Sequence, residues 1–137
     1  MSKPIKSLLV ICALAAAGIA SAQEQVVNLY SARHYPTDEA LYSGFTKATG
    51  IKIQRVASDA AGIMARLKAE GSASPADVIL LVDAARLYRG EADGLFLPVR
   101  SKVLGDAIPA NLRATPTGDG GIPWFGLSTR ARVIIYN

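Results

Sequence analysis

The run DVILLV, Asp77–Val82, constrains this chain more than any other stretch. Behind its leading aspartate it is short, apolar and unbroken. A strand covered on both faces reads this way, because a parallel strand between two helical layers has no wet side. Val26–Tyr30, VVNLY, has a similar β-type character, and Ile51–Val56, IKIQRV, alternates as a half-covered strand does. Helix signals separate these runs. Thr37–Thr49 places Ala40, Leu41, Phe45 and Ala48 on one face, with Pro36 suited to a first turn and Gly50 to a C-terminal stop. Ser58 or Asp59 can cap a second helix that carries Ile63, Met64 and Leu67 and ends at Gly71. Asp83 can cap a short third helix, Ala84–Ala92, stopped by Gly94. The order β-α-β-α-β-α predicts an α/β domain with a mostly parallel sheet. Right-handed crossovers put helices on both of its faces, and DVILLV is its expected central strand.

The two ends read differently. Lys3 and Lys6 precede an uncharged apolar stretch, Leu8–Ala20, closed by Ala20-Ser21-Ala22. That is the layout of a secretory signal peptide over residues 1–22, with cleavage before Gln23. The stretch is shorter than the roughly 20 apolar residues a permanent span requires, and Cys12 inside it reads as signal filler. The remainder has no cysteine, so an exported domain must be held by its core alone. Loss of Lys3 and Lys6 lowers the formal net charge from +4 to +2. The charges are interspersed, without a basic run, which argues against nucleic acid as a partner. Residues 108–123, studded with Pro109, Pro116, Pro123, Gly118, Gly120 and Gly121, form a long loop by composition. Trp124–Ser128 and Val133–Tyr136 then look like strands.

Between the first strand and first helix stands YSARHYPTDE, Tyr30–Glu39. In open α/β sheets, ligands bind outside the carboxyl ends of the strands, and a helix N-terminus favours negative charge. Arg33, His34 and Tyr35 therefore sit at an electropositive rim. The place suits an anion, or a metal held together with an anion. His34 is the sole histidine and cysteine is absent outside the signal, so a zinc site of the His/Cys type cannot be assembled. Gly126–Arg130, GLSTR, lacks the second glycine of a nucleophile elbow, and no glycine-rich phosphate loop is present. Tyr30, Tyr42, Tyr88, Tyr136 and Trp124 read as packing or surface residues by position.

The segments Asn28–Ile53 (NLYSARHYPTDEALYSGFTKATGIKI), Arg66–Leu87 (RLKAEGSASPADVILLVDAARL) and Trp124–Asn137 (WFGLSTRARVIIYN) resemble, in the same order, the N-terminal part of the periplasmic ferric-iron-binding proteins of bacterial ABC importers. The resemblance implies a partial type II periplasmic-binding-protein fold. Residues 23–123 would be its N-terminal lobe, and residues 124–137 a crossing segment towards a second lobe. It implies Fe³⁺ as ligand, with carbonate as a synergistic anion in some members. His34 and Tyr35 match metal ligands of the first lobe, and Arg33 and Arg130 match positions that can face the anion. Some relatives carry a carboxylate ligand where this chain has Val82.

The chemistry of the donors agrees with that transfer. Fe³⁺ is a hard cation and favours anionic oxygen. A phenol, neutral at pH 7 on its own, can lose its proton to a bound metal. Acid weakens such a site, first through any bound imidazole. In the family, further tyrosines, including a tandem pair, come from the second lobe. This chain has no tandem tyrosine, so the resemblance implies a fragment of about the first third of a longer protein, unable to clamp iron alone.

What the resemblance implies is an exported, periplasmic, monomeric solute receptor. It would present ferric iron to an inner-membrane ABC permease, with no enzymatic step. Two other readings stay open on the residues alone. The same fold could hold an oxyanion or small carboxylate at Arg33. A secreted hydrolase could use His34 as general base, although no nucleophile or orienting group accompanies it.

Overall fold

The computed structural model describes residues 25–131. The signal-peptide segment and Val133–Tyr136 lie outside the described residues. Three strands, β1 (Val26–Ser31), β2 (Lys52–Ala57) and β3 (Val78–Leu80), alternate with helices α1 (Asp38–Thr49), α2 (Ala60–Glu70) and α3 (Ala84–Ala92). A short helix α4 (Lys102–Ala107) and two 3-10 turns, Gly71–Ala73 and Ala110–Leu112, complete the regular structure. The sheet is parallel throughout, in the order β2-β1-β3. Its register pairs Tyr30 with Val56 on one side and with Ile79 on the other. Among the described residues no helix is long and apolar enough to cross a membrane.

The caps explain where the helices begin and end. Asp59 accepts a hydrogen bond from the Gly62 N–H, Asp83 from the Arg86 N–H and Ser101 from the Leu104 N–H, each satisfying a donor that the first turn leaves free. Gly50, at φ 75°, closes α1 in the left-handed conformation and donates its N–H to the Thr46 carbonyl. Gly90 answers a different need. A Cβ there would come within 2.3 Å of Cζ of Phe96, so the ring lies across the bare helix backbone.

The larger hydrophobic cluster rests on one face of the sheet. Residues paired in a parallel register point the same way, so Tyr30, Val56 and Ile79 share a face. Ile63 and Leu67 of α2 pack against it, together with Ala32, Ala60 and Leu81. Tyr30 is buried, and its hydroxyl reaches both oxygens of Glu70 at 2.9 and 3.1 Å. Glu70 also accepts from Arg66 Nε and Ser74 Oγ, both at 2.6 Å. A buried phenol is thereby satisfied, and the end of α2 is fastened to the central strand. A second cluster, Ala114, Ile122 and Trp124, meets the first through Leu87 and Phe96. Trp124 donates its indole N–H to Glu91 at 2.7 Å and meets the Tyr88 ring edge-on.

Three sequence expectations need correction. The central strand is β1, not DVILLV: only Val78–Leu80 pair, at one edge of the described sheet, and Val78 and Val82 are exposed. The apolar stripe of α1 does not face inward. Leu41 is 64% exposed and Phe45 37% exposed, while Asp38 is buried and Tyr42 and Thr46 are half-buried. The face of β2 beneath α1 carries Arg55, which pairs with Glu39 and lies over the Tyr42 ring at 5.4 Å. A charged platform turns the polar side of the helix towards it. Trp124–Ser128 does not form a continuous strand either. Only isolated bridges, Arg113 with Phe125 and Val99 with Ile122, stand there. Pro123 cannot donate to a ladder, and a Cβ at Gly126 would lie 2.8 Å from the Leu112 carbonyl oxygen.

Ile63 is 0% exposed, so Ile63→Ala leaves a hole beneath the central strand. It should cost about 2–5 kcal/mol in urea unfolding. In the 117–121 turn, the Thr117 hydroxyl foremost, then the Gly121 N–H and Arg100, hold the Asp119 carboxyl down from 3.8 to about 2. A depressed carboxylate stabilises the fold above its unfolded value and loses that contribution as pH falls through the folded one. Carbon-detected NMR should therefore place the Asp119 midpoint near 2. Asp119→Asn should flatten the stability difference from wild type below that pH.

Candidate metal-donor loop

The loop joining β1 to α1 leaves the sheet at the carboxyl end of its central strand. Ala32 donates its N–H to the Leu80 carbonyl and Ser58 to the Ser31 carbonyl, so the start of the loop is tied to both neighbouring chain segments. Ser31, itself buried, accepts the Arg33 N–H on its hydroxyl at 3.1 Å and donates to the Arg33 carbonyl at 3.2 Å. At the other end the Asp38 N–H reaches the Tyr35 carbonyl at 3.0 Å.

Arg33 folds over this short span. Its Nε and Nη2 donate to the two oxygens of Asp38 at 3.0 and 2.8 Å, a parallel two-point fork. That fork, more than the charge itself, holds the Asp38 carboxyl below its ordinary range and the Arg33 guanidinium above its own, with burial opposing both shifts. The guanidinium carbon also sits 5.0 Å from the centre of the Tyr35 ring, within the range of a cation–π contact. Tyr35 in turn stacks on His34, with ring centroids 5.8 Å apart and planes 20° from parallel. Both rings are accessible, and Tyr35 is 44% exposed.

The structure thus brings Arg33, His34 and Tyr35 together and leaves Arg130 apart. Arg130 is exposed, and among the described residues no hydrogen bond, ion pair or ring contact links it to the other three. The expected electropositive rim is partly filled by the chain itself: Asp38 and Glu39 occupy the first turn of α1, where negative charge is favoured. Asp38 is the residue that sequence reasoning missed. Its signal was an aspartate five positions after an arginine, across Pro36. Asp83, adjacent to Val82, caps α3 and forks to Arg86, so it has a structural task. Among the described residues no group of three or more His, Cys, Asp or Glu side chains is placed to hold a metal ion. What the loop offers is one imidazole and one phenol, side by side and open to a ligand.

The chain and its fold are similar to a defined class of proteins. No family model matches the chain. It is 50% identical over 115 residues to iron uptake protein A1 of Synechocystis, an alignment covering 84% of this chain and 31% of that protein. A Trichodesmium protein solved in complex with iron and citrate superposes with a TM-score of 0.66 and 46% identity, over 74% of this chain and 30% of its own. The ferric binding protein from Campylobacter jejuni superposes at 0.63 with 40% identity, over 69% and 29%. These likenesses bear out the resemblance to ferric-iron-binding proteins, and the α/β architecture is that of the periplasmic-binding-protein fold. The chain spans about a third of the length of these relatives.

Exposed rings held only by their neighbours contribute little to folding. His34→Ala and Tyr35→Phe should each change the unfolding free energy by less than about 0.5 kcal/mol in urea titration. A loss comparable to that of Ile63→Ala would show that the loop is part of the core.

Proposed function

We propose that this chain supplies the first-lobe share of a periplasmic ferric-iron receptor, with His34 and Tyr35 as its donors. The observation that carries the reading is their placement: two adjacent, stacked, solvent-open side chains at the carboxyl end of the central strand. That edge is where ligands of open α/β sheets bind. The similarity to a protein solved with iron and citrate supports the choice of ligand.

The two side chains suit different parts of the task. Tyr35 can become an anionic oxygen donor once a ferric ion displaces its proton, and His34 can add a neutral nitrogen. Two donors leave most of an octahedral shell open. The others come from polypeptide that the relatives possess and this sequence does not span, and from a bound anion such as carbonate or citrate. Arg33 has two of its N–H groups engaged by Asp38, so it offers that anion its remaining N–H groups, and Arg130, which stands apart from the loop, would join only by moving towards it. Reversible coordination, with no covalent change to the cargo, suits a monomeric receptor that hands iron to an inner-membrane permease, after export by the segment 1–22. The fork on Asp38 weighs against a receptor built around an oxyanion at Arg33 alone.

Ferric citrate titrated into the chain should broaden the NMR signals of His34 and Tyr35 first. It should raise no strong tyrosinate-to-iron band in the visible at one equivalent. Broadening centred elsewhere would overturn the donor assignment. An intense band at one equivalent would show that this chain completes the site without further donors.

A further inference from the structure

We infer that Asp38 is a positioning residue for the His34–Tyr35 pair and acts through Arg33. The inference rests on the reading of those two residues as donors, and it concerns what aims them.

His34 and Tyr35 have little burial to fix their rotamers. Arg33 has fixed points at both ends. Its backbone N–H and carbonyl are both engaged by the hydroxyl of buried Ser31. Its guanidinium is held in plane by the two-point fork to Asp38. Asp38 is itself anchored: it is 8% exposed and lies in the first turn of α1. A carboxylate that far out of water must be paired, and Arg33 is the partner the loop provides. The guanidinium then lies over the Tyr35 ring, and Tyr35 backs His34. Order passes outward from a buried carboxylate, through a planar cation, to two exposed rings.

The remaining charges nearby do not substitute for Asp38. Glu39 is committed to Arg55, and Arg55 lies over Tyr42 on the β2 side of α1. Lysine could answer the charge of Asp38 at position 33. It could not present a flat face to Tyr35 or take both oxygens in one plane. The pair therefore does two things that a generic ion pair does not: it sets the plane of the guanidinium and so the tilt of the rings stacked on it.

Because His34 is the sole histidine, its imidazole protons report on the loop without overlap from another histidine. In the full, metal-free chain, Asp38→Asn and Arg33→Lys should each abolish the nuclear Overhauser contacts between the His34 and Tyr35 rings. The resonances of Tyr30 and Ile63 in the core should stay in place. With ferric citrate as probe, the concentration that half-broadens His34 should rise by about 10-fold or more in both variants, the usual effect of removing a supporting partner from a metal ligand. Ring contacts that persist in Arg33→Lys overturn the inference. If Asp38→Asn disturbs the core as well, Arg33→Lys decides, since it keeps a cation for Asp38. Should ferric citrate fail to broaden His34 in the wild-type chain while the ring contacts depend on Asp38, the donor reading falls and the positioning role stands.

Discussion

Everything in this domain hangs from β1, and β1 is secured by the hydroxyl of Tyr30. Among the described residues that strand is the one with neighbours on both sides, and it brings a side chain into the deepest layer of the core. A phenylalanine there would supply the volume. Tyrosine adds an oxygen that cannot be left dry, and Glu70 meets it. The same carboxylate gathers Arg66 and Ser74, so the end of α2, the turn after it and the central strand converge on one group. Arg66 also lies over the Tyr30 ring at 4.9 Å. The strand fixed in this way delivers Ser31 and Ala32 to the carboxyl edge of the sheet, and the loop bearing Arg33, His34 and Tyr35 begins there.

A contrast of environments follows. On the α2 side of the sheet the buried cluster is apolar, with Glu70 at its margin. On the α1 side ionic and ring contacts accompany buried Leu29: Arg33 with Asp38, Arg55 with Glu39, and Arg55 over Tyr42. The loop bearing His34 and Tyr35 belongs to the second side. A site built there can be ordered by charge pairs and stacked rings without being sealed from a ligand. Local ordering by polar contacts, on a scaffold stabilised elsewhere, is how a binding edge is generally built.

Much of this was legible in the residues. Periodicity gave the three strands and three principal helices within a few positions, and Asp59, Asp83, Gly50 and Gly71 marked helix ends as their chemistry predicts. The adjacency of His34 and Tyr35 is plain in the sequence. What periodicity could not reveal was which side of α1 faces the sheet. Leu41 and Phe45 make the obvious apolar stripe, yet the helix rests on an arginine that β2 presents from the far end of a separate segment. The central position of DVILLV failed for a related reason: strand order is a long-range property, and an apolar run does not say on which side its neighbours stand. The sequence signal of Asp38 was weak, because its role depends on a partner across a proline turn, not on its own helix.

Gly90 has a wider meaning than its place in α3 suggests. Helix propensity alone would favour alanine there by about 1 kcal/mol. The bare backbone instead gives room to Phe96, and Phe96 packs against both hydrophobic clusters. The absent methyl group is therefore the hinge-pin of the domain's two halves: a change meant to strengthen one helix would pry apart the seam between them.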